Sequence, residues 1–218
     1  MQIKLVIFDG EGVIYSYKKA IKVFEREYDK FLRKFNTSLK EQGKLWLKFY
    51  PKTVRGKISL RKTNEIILST FGIPKSKVRE WLKRDKEITL KFVKLNRGIK
   101  QLLSKLKSKG IKVAVLSDTV HPLKWRLDLF KKFGLTKGRH YDKLFLSSQI
   151  GYEKPEPQAY LTVLNNFKVK PEEALFVGHD KEELIGAKKL GIKTISYRGY
   201  RKADFYAKNF KEILKLVS

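Results

Sequence analysis

Four short stretches of this 218-residue sequence carry groups that could do chemistry together. They are Asp9-Gly10-Glu11-Gly12, Ser117-Asp118-Thr119, Glu153-Lys154-Pro155, and Gly178-His179-Asp180 with Glu182-Glu183 just beyond. Two carboxylates one residue apart between glycines fit a turn, a nucleotide loop, a calcium loop or a catalytic site. A dinucleotide loop needs a third glycine at position 15, which is Tyr15. A calcium loop needs oxygen ligands at alternate positions, and Val13 and Tyr15 break that series. A plain turn explains Gly10 and Gly12 but not the carboxylates, hydroxyl and amine of the other three stretches.

Each stretch follows a predicted strand. "KLVIF" (4–8), "KVAVLS" (112–117), "KLFLSS" (143–148), "EALFVG" (173–178) and "KTISY" (193–197) are apolar runs that read as strands buried on both faces of a parallel sheet. Between them lie the helical patterns "NRGIKQLLSKLKSKG", "HPLKWRLDLFKKFG", "EPQAYLTVLNNF" and "KEELIGAKKLG", with Gly110, Gly134 and Gly191 at their expected ends. "KADFYAKNFKEILKLV" reads as a closing helix. The alternation predicts an open, Rossmann-like α/β core with right-handed crossovers, whose ligands sit at the carboxyl ends of the strands. From about Tyr17 to Asn96 there are only helical patterns, separated by turn signals at Pro51, Gly56, Gly72 and Pro74. The expected division is a core of residues 1–14 and 97–218 and an all-helical cap of residues 15–96.

The four stretches, in this order, resemble the motifs of the haloacid dehalogenase-like hydrolases. "FDGEGVI" is similar to the family's D-x-D-G-[VT] motif and "VLSD" to its second motif, "EKPEP" to its Lys-Pro motif, and "ALFVGHDKEELIGAKKLG" to its acidic fourth motif. The helical insert resembles the cap of subfamily I. The resemblance implies Asp9 as a nucleophile that forms an aspartyl-phosphate, and Glu11 as the acid that protonates the leaving alkoxide and later activates water. It implies phosphoryl binding by Ser117, with Asp118 beside it, and charge neutralisation by Lys154. Mg2+ would sit on Asp9, the backbone carbonyl of Glu11 and a fourth-motif carboxylate. Two positions depart from the pattern. Glu11 is one methylene longer than the usual aspartate, and His179 stands where a metal-binding aspartate is usual. Asp180, by proximity, or Glu183, by register, would then complete the metal site. The implied activity is hydrolysis of a small phosphorylated metabolite. A 2-haloacid dehalogenase would use the same aspartate without metal.

Composition bounds the rest. The 50 Lys+Arg against 22 Asp+Glu give a formal charge of +28. Such a field draws polyanions and anionic substrates, so a nucleic-acid partner with a vestigial site is a further alternative. With no cysteine and one methionine, the lysine-rich surface also suits thermal stability, and no thiolate metal site or disulfide is available. No apolar run reaches the length of a membrane span, no secretory signal is seen at the start, and a cytoplasmic location is expected. Asp118 is also expected to cap the helix that follows it. His121 and His140 are read as surface or packing residues, and Trp46, Trp81 and Trp125 as packing.

Overall fold

The computed structural model describes residues 2–217. Strand β1 (Leu5–Asp9) has all five residues buried, because it is paired in parallel on both sides. Its neighbours are β4 (Lys112–Ser117) and β6 (Ala174–Gly178), and the six-stranded sheet runs β5-β4-β1-β6-β7-β8. The other members are β5 (Lys143–Leu146), β7 (Lys193–Tyr197) and β8 (Phe205–Ala207), all in parallel register with their neighbours. Successive side chains of β1 face opposite layers. Val6 and Phe8 pack with α5 (Ile99–Ser108) and α10 (Phe210–Val217), while Leu5 and Ile7 pack with α8 (Pro157–Phe167) and α9 (Lys181–Lys189). The sheet is therefore a buried layer between two helical layers, as the strand pattern predicts.

Four helices fill the insert: α1 (Lys18–Arg33), α2 (Leu39–Val54), α3 (Leu60–Ser69) and α4 (Lys75–Phe92). Ala20, Phe24, Tyr28 and Leu32 recur every fourth residue of α1 and turn one stripe toward α4. There Tyr28 stacks on Trp81 with ring centroids 4.5 Å apart. A reciprocal cap between Ser38 and Glu41 opens α2.

Four local expectations change. Pro51 does not end α2, which runs on to Val54; Arg55 donates to the Pro51 carbonyl at 3.1 Å, supplying a partner near the helix end. The insert is not purely helical, since β2 (Tyr15–Ser16) and β3 (Lys94–Leu95) pair antiparallel where the chain leaves and re-enters the core. "KADFYAKNFKEILKLV" divides into β8 and α10 instead of forming one helix. These strands have two or three residues, too short for an alternation to show. The third predicted strand also stops at Leu146, and Ser147–Ile150 form a helical turn, α7. Between β4 and β5 lies α6 (Leu123–Lys132).

Candidate active site

Asp9 is the last residue of β1 and is 4% exposed. The chain then turns sharply: the Gly10 carbonyl accepts from the Ile14 amide at 2.9 Å, and Asn96 ties the loop down by donating to the Gly12 and Val13 carbonyls at 3.0 and 2.8 Å. Both glycines are sterically required. A Cβ on Gly10 would lie 2.3 Å from the Tyr15 hydroxyl and 2.6 Å from Ser117 Oγ, which are themselves 3.1 Å apart. Gly12 has φ of +79°, and a Cβ there would strike the His179 ring at 2.6 Å.

The Asp9 carboxylate is held between two nitrogen groups. Lys154 Nζ donates to Oδ1 at 2.6 Å, and His179 Nδ1 lies 3.2 Å from Oδ2. Burial alone would raise the Asp9 pKa, but the charge of Lys154 and the bond from His179 outweigh it and hold the carboxyl ionised below its ordinary range. Burial works against a charged Lys154 too. It is overcome by Asp9, Glu183 and Asp118, which keep the amine protonated far above its usual value. Lys154 Nζ stands 3.1 Å from Glu183 Oε1 and 3.7 Å from Asp118 Oδ2. His179 is raised, first by its bond to Asp9. Glu11 moves up as well, through burial of its carboxyl and then the negative charge of Asp9. One carboxyl is thus kept bare and its neighbour is pushed toward holding a proton, the division of labour that acid-assisted displacement needs.

The remaining predicted residues are placed as follows. Ser117, at the end of β4, is buried beside the Asp9–Gly10 turn. Asp118 caps no helix: α6 begins after Pro122 without a side-chain cap, and Asp118 instead accepts the Lys154 backbone amide on both oxygens at 3.2 Å. It thereby fixes the loop that presents Lys154. Asp180 is exposed and caps α9, accepting the Glu182 and Glu183 amides at 2.9 and 3.2 Å. Glu183 reaches the crevice, where burial pushes its carboxyl up to about 7. His140 is buried and bonded to Thr136, a packing role.

These side chains do not form a ready magnesium site. Among the described residues no three His, Asp or Glu side chains converge as metal ligands. Both Asp9 oxygens face nitrogen donors, Asp180 is committed to its helix, and an imidazole is a poor partner for an ion that demands oxygens. Glu183 Oε2 is buried without a hydrogen-bond partner, and one such oxygen is far short of an octahedral shell.

Sequence reasoning missed Arg126. It is 3% exposed, donates to the Tyr17 hydroxyl and to Thr119 Oγ1 at 3.0 Å each, and lies 4.8 Å from the Tyr15 ring centroid. Its charge acts on Glu11, and its Nε is buried without a partner. The available signal was its place on α6, where Leu123, Arg126 and Phe130 form one stripe and a cation stands among apolar residues. Ser147 was missed too; its Oγ accepts the Thr119 amide at 2.9 Å and braces the second motif.

A parallel sheet of this order with an acidic crevice at its carboxyl edge and a helical insert after the first strand defines the class, and the sequence agrees. The profile of the haloacid dehalogenase-like hydrolases matches residues 6–197, and the chain belongs to that family. It is 31% identical over 121 residues to a phosphorylated carbohydrates phosphatase of Thermotoga maritima, a match spanning 56% of this chain and 53% of that one. The structure of a HAD phosphatase from Thermococcus onnurineus superposes with a TM-score of 0.69 at 24% identity, covering 99% of this chain and 98% of that one. A 2-haloacid dehalogenase from Pseudomonas syringae pv. Tomato gives 0.74 at 17% identity, with coverages of 99% and 98%. At those identities the two structures establish the fold alone.

Proposed function

We propose that this hydrolase cleaves phosphate monoesters of small metabolites through an aspartyl-phosphate on Asp9. The observation that supports this most is the contrast between an ionised Asp9 clamped by Lys154 and a neighbouring Glu11 whose carboxyl is raised. An Asp9 oxygen attacks phosphorus in line, and the P–O bond to the leaving group breaks. Glu11 gives its proton to the departing alkoxide, then takes one from the water that attacks the aspartyl-phosphate, releasing phosphate and freeing Asp9. Lys154, with Ser117 across the turn, offsets and orients the phosphoryl charge. Arg126 biases Glu11 electrostatically. Magnesium is general in such phosphatases, but its binding here requires His179 to leave Asp9, so no step is assigned to it. Two relatives carry phosphatase names, which supports the same reading.

The test is a screen of phosphorylated metabolites with and without Mg2+, read as phosphate release, with Asp9→Asn as control. Release that persists in Asp9→Asn rejects the reading. The nitrogen-lined Asp9 favours one other chemistry, displacement of halide from a 2-haloacid carbon, which needs no metal. Halide release from 2-chloropropionate without phosphate release from any ester would decide for that alternative.

A further inference from the structure

A second chamber lies within the insert, between α1, α2, α3 and α4, with a volume of about 590 Å³. Its wall includes the aromatic rings of Tyr17, Phe24, Tyr28, Trp46 and Trp81. In a chain with 50 Lys and Arg, not one of either lines it, whereas Asp85 and Glu25 both do. A neighbouring surface hollow that shares Trp81 is charge-mixed instead, with Lys30, Lys34, Lys83 and Arg84 beside Glu27, Glu80 and Glu87.

Two polar residues of its wall make no hydrogen bond among the described residues. The Tyr28 hydroxyl is buried with no hydrogen bond. Asp85 is 7% exposed and makes no hydrogen bond among the described residues; the imidazole of His121, with Nε2 3.7 Å from Oδ2, is its ion-pair partner. A carboxylate with one imidazole for a neighbour and no hydrogen bond keeps its capacity to accept from a further donor. Aromatic faces around it attract a cation by their quadrupoles.

The chamber also meets the catalytic crevice. Tyr17, in its wall, stands beside Glu11, and Val120-His121 continue directly from Thr119 at the end of the second motif. Glu11 is the group placed to protonate the leaving oxygen, so the leaving group points this way.

We propose that the chamber takes an organic ammonium, an apolar or aromatic body ending in a protonated amine, carried on the leaving group of the substrate. The ammonium pairs with the Asp85 carboxylate, with the body between Trp46, Trp81 and Phe24. This names the substrate class of the phosphatase reading above and rests on it only for the ester, since the amine-bearing half binds by itself.

Intrinsic tryptophan fluorescence reads binding directly, because Trp46 and Trp81 line the chamber. Tyramine, its neutral counterpart 4-ethylphenol and the anion 4-hydroxyphenylacetate are titrated into the intact protein and into Asp9→Asn. Tyramine is expected to bind at least about tenfold more tightly than 4-ethylphenol in both proteins, and the anion weakest of all. Asp85→Asn removes that preference. Trp46→Leu, at a half-buried position, weakens tyramine more than 4-ethylphenol and serves if the Asp85 variant fails to fold. Equal binding of tyramine and 4-ethylphenol, or no binding of tyramine, overturns the proposal. In the kinetic arm, 4-(2-aminoethyl)phenyl phosphate is compared with 4-ethylphenyl phosphate, and a KM about tenfold lower for the amine is expected. If neither ester is hydrolysed but tyramine still binds selectively, the phosphatase reading fails and the chamber assignment stands.

Discussion

The two chambers of this molecule treat charge in opposite ways. In the catalytic crevice the charges are engaged before any ligand arrives: Lys154 bridges Asp9 and Glu183, His179 covers the other Asp9 oxygen, and Asp118 holds the Lys154 amide. In the insert, Asp85 has no hydrogen bond and a single imidazole, that of His121, 3.7 Å away, among aromatic rings. A prepaired site spends little reorganisation on the reaction, because its dipoles and charges are set beforehand. A sparsely paired one keeps its interaction energy for whatever enters and so discriminates among ligands.

The contrast can be broken most severely at Asp9. Asp9→Asn is expected to lower turnover by at least about a thousandfold while the chain stays folded and tyramine binding is retained. Phosphate release and near-UV circular dichroism check both halves. Next in size is Lys154→Met, which leaves three carboxylates around an empty position. Losing the partner of a buried charge costs roughly 3–5 kcal/mol, measurable by urea denaturation at neutral pH.

Glu11→Gln should reduce kcat by about 10²–10⁴-fold. It should also abolish one limb of the pH profile. Because the Glu11 carboxyl is raised, its protonated form persists above the usual glutamate range, and the rate of leaving-group protonation falls as pH climbs through that raised value. Glu11→Asp separates chemistry from reach: a faster variant shows that the extra methylene slows this site, and a slower one that the loop is built around it.

His179 sharpens the comparison at the position next to Asp9. Activity of the natural chain is expected to change less than about twofold in excess chelator, whereas His179→Asp should gain Mg2+ binding by calorimetry and become chelator-sensitive. Its pH signature has a definite sign. The folded-state pKa of His179 is raised above the ordinary 6.5, so its charged contact with Asp9 is fully present below about 6.5 and is lost as pH rises through the raised value. The smallest effect expected is at Arg55, which pairs with Glu153 and Glu156 at 2.7 Å each and joins the end of α2 to the loop on both sides of Lys154. Arg55→Ala should raise KM a few-fold with kcat nearly unchanged, since such part-exposed pairs contribute about 1 kcal/mol or less.

The parallel sheet was legible because its strands are continuous apolar runs ending in polar residues, and burial on both faces leaves that mark. Asp9, Lys154 and Glu183 could be singled out because each follows a strand end at the crevice. Asp118 and Asp180 misled for a common reason. An aspartate before a helix satisfies backbone amides or a metal equally well on paper, and only three-dimensional proximity shows which amide is near: that of Lys154 for Asp118, those of Glu182 and Glu183 for Asp180. Arg126 escaped notice because it stands in an apolar stripe of an otherwise ordinary helix, and Asp85 because, between Arg84 and Lys86, it reads as one more surface charge.

One consequence of the strand order concerns how this enzyme breathes. Asp9 ends the strand flanked by β4 and β6, with five and four paired residues respectively, so the amides of Ile7 and Phe8 are exposed to solvent only when the sheet itself comes apart. The insert is joined to the core by the two-residue β2–β3 ladder and by side-chain links such as Arg55 to Glu153, Lys86 to Asp128 and Arg126 to Tyr17, which can open far more cheaply than a sheet. Hydrogen–deuterium exchange should therefore show two clocks in one chain: a slow one at the nucleophile, set by global unfolding, and a fast one above it, set by the admission of ligand.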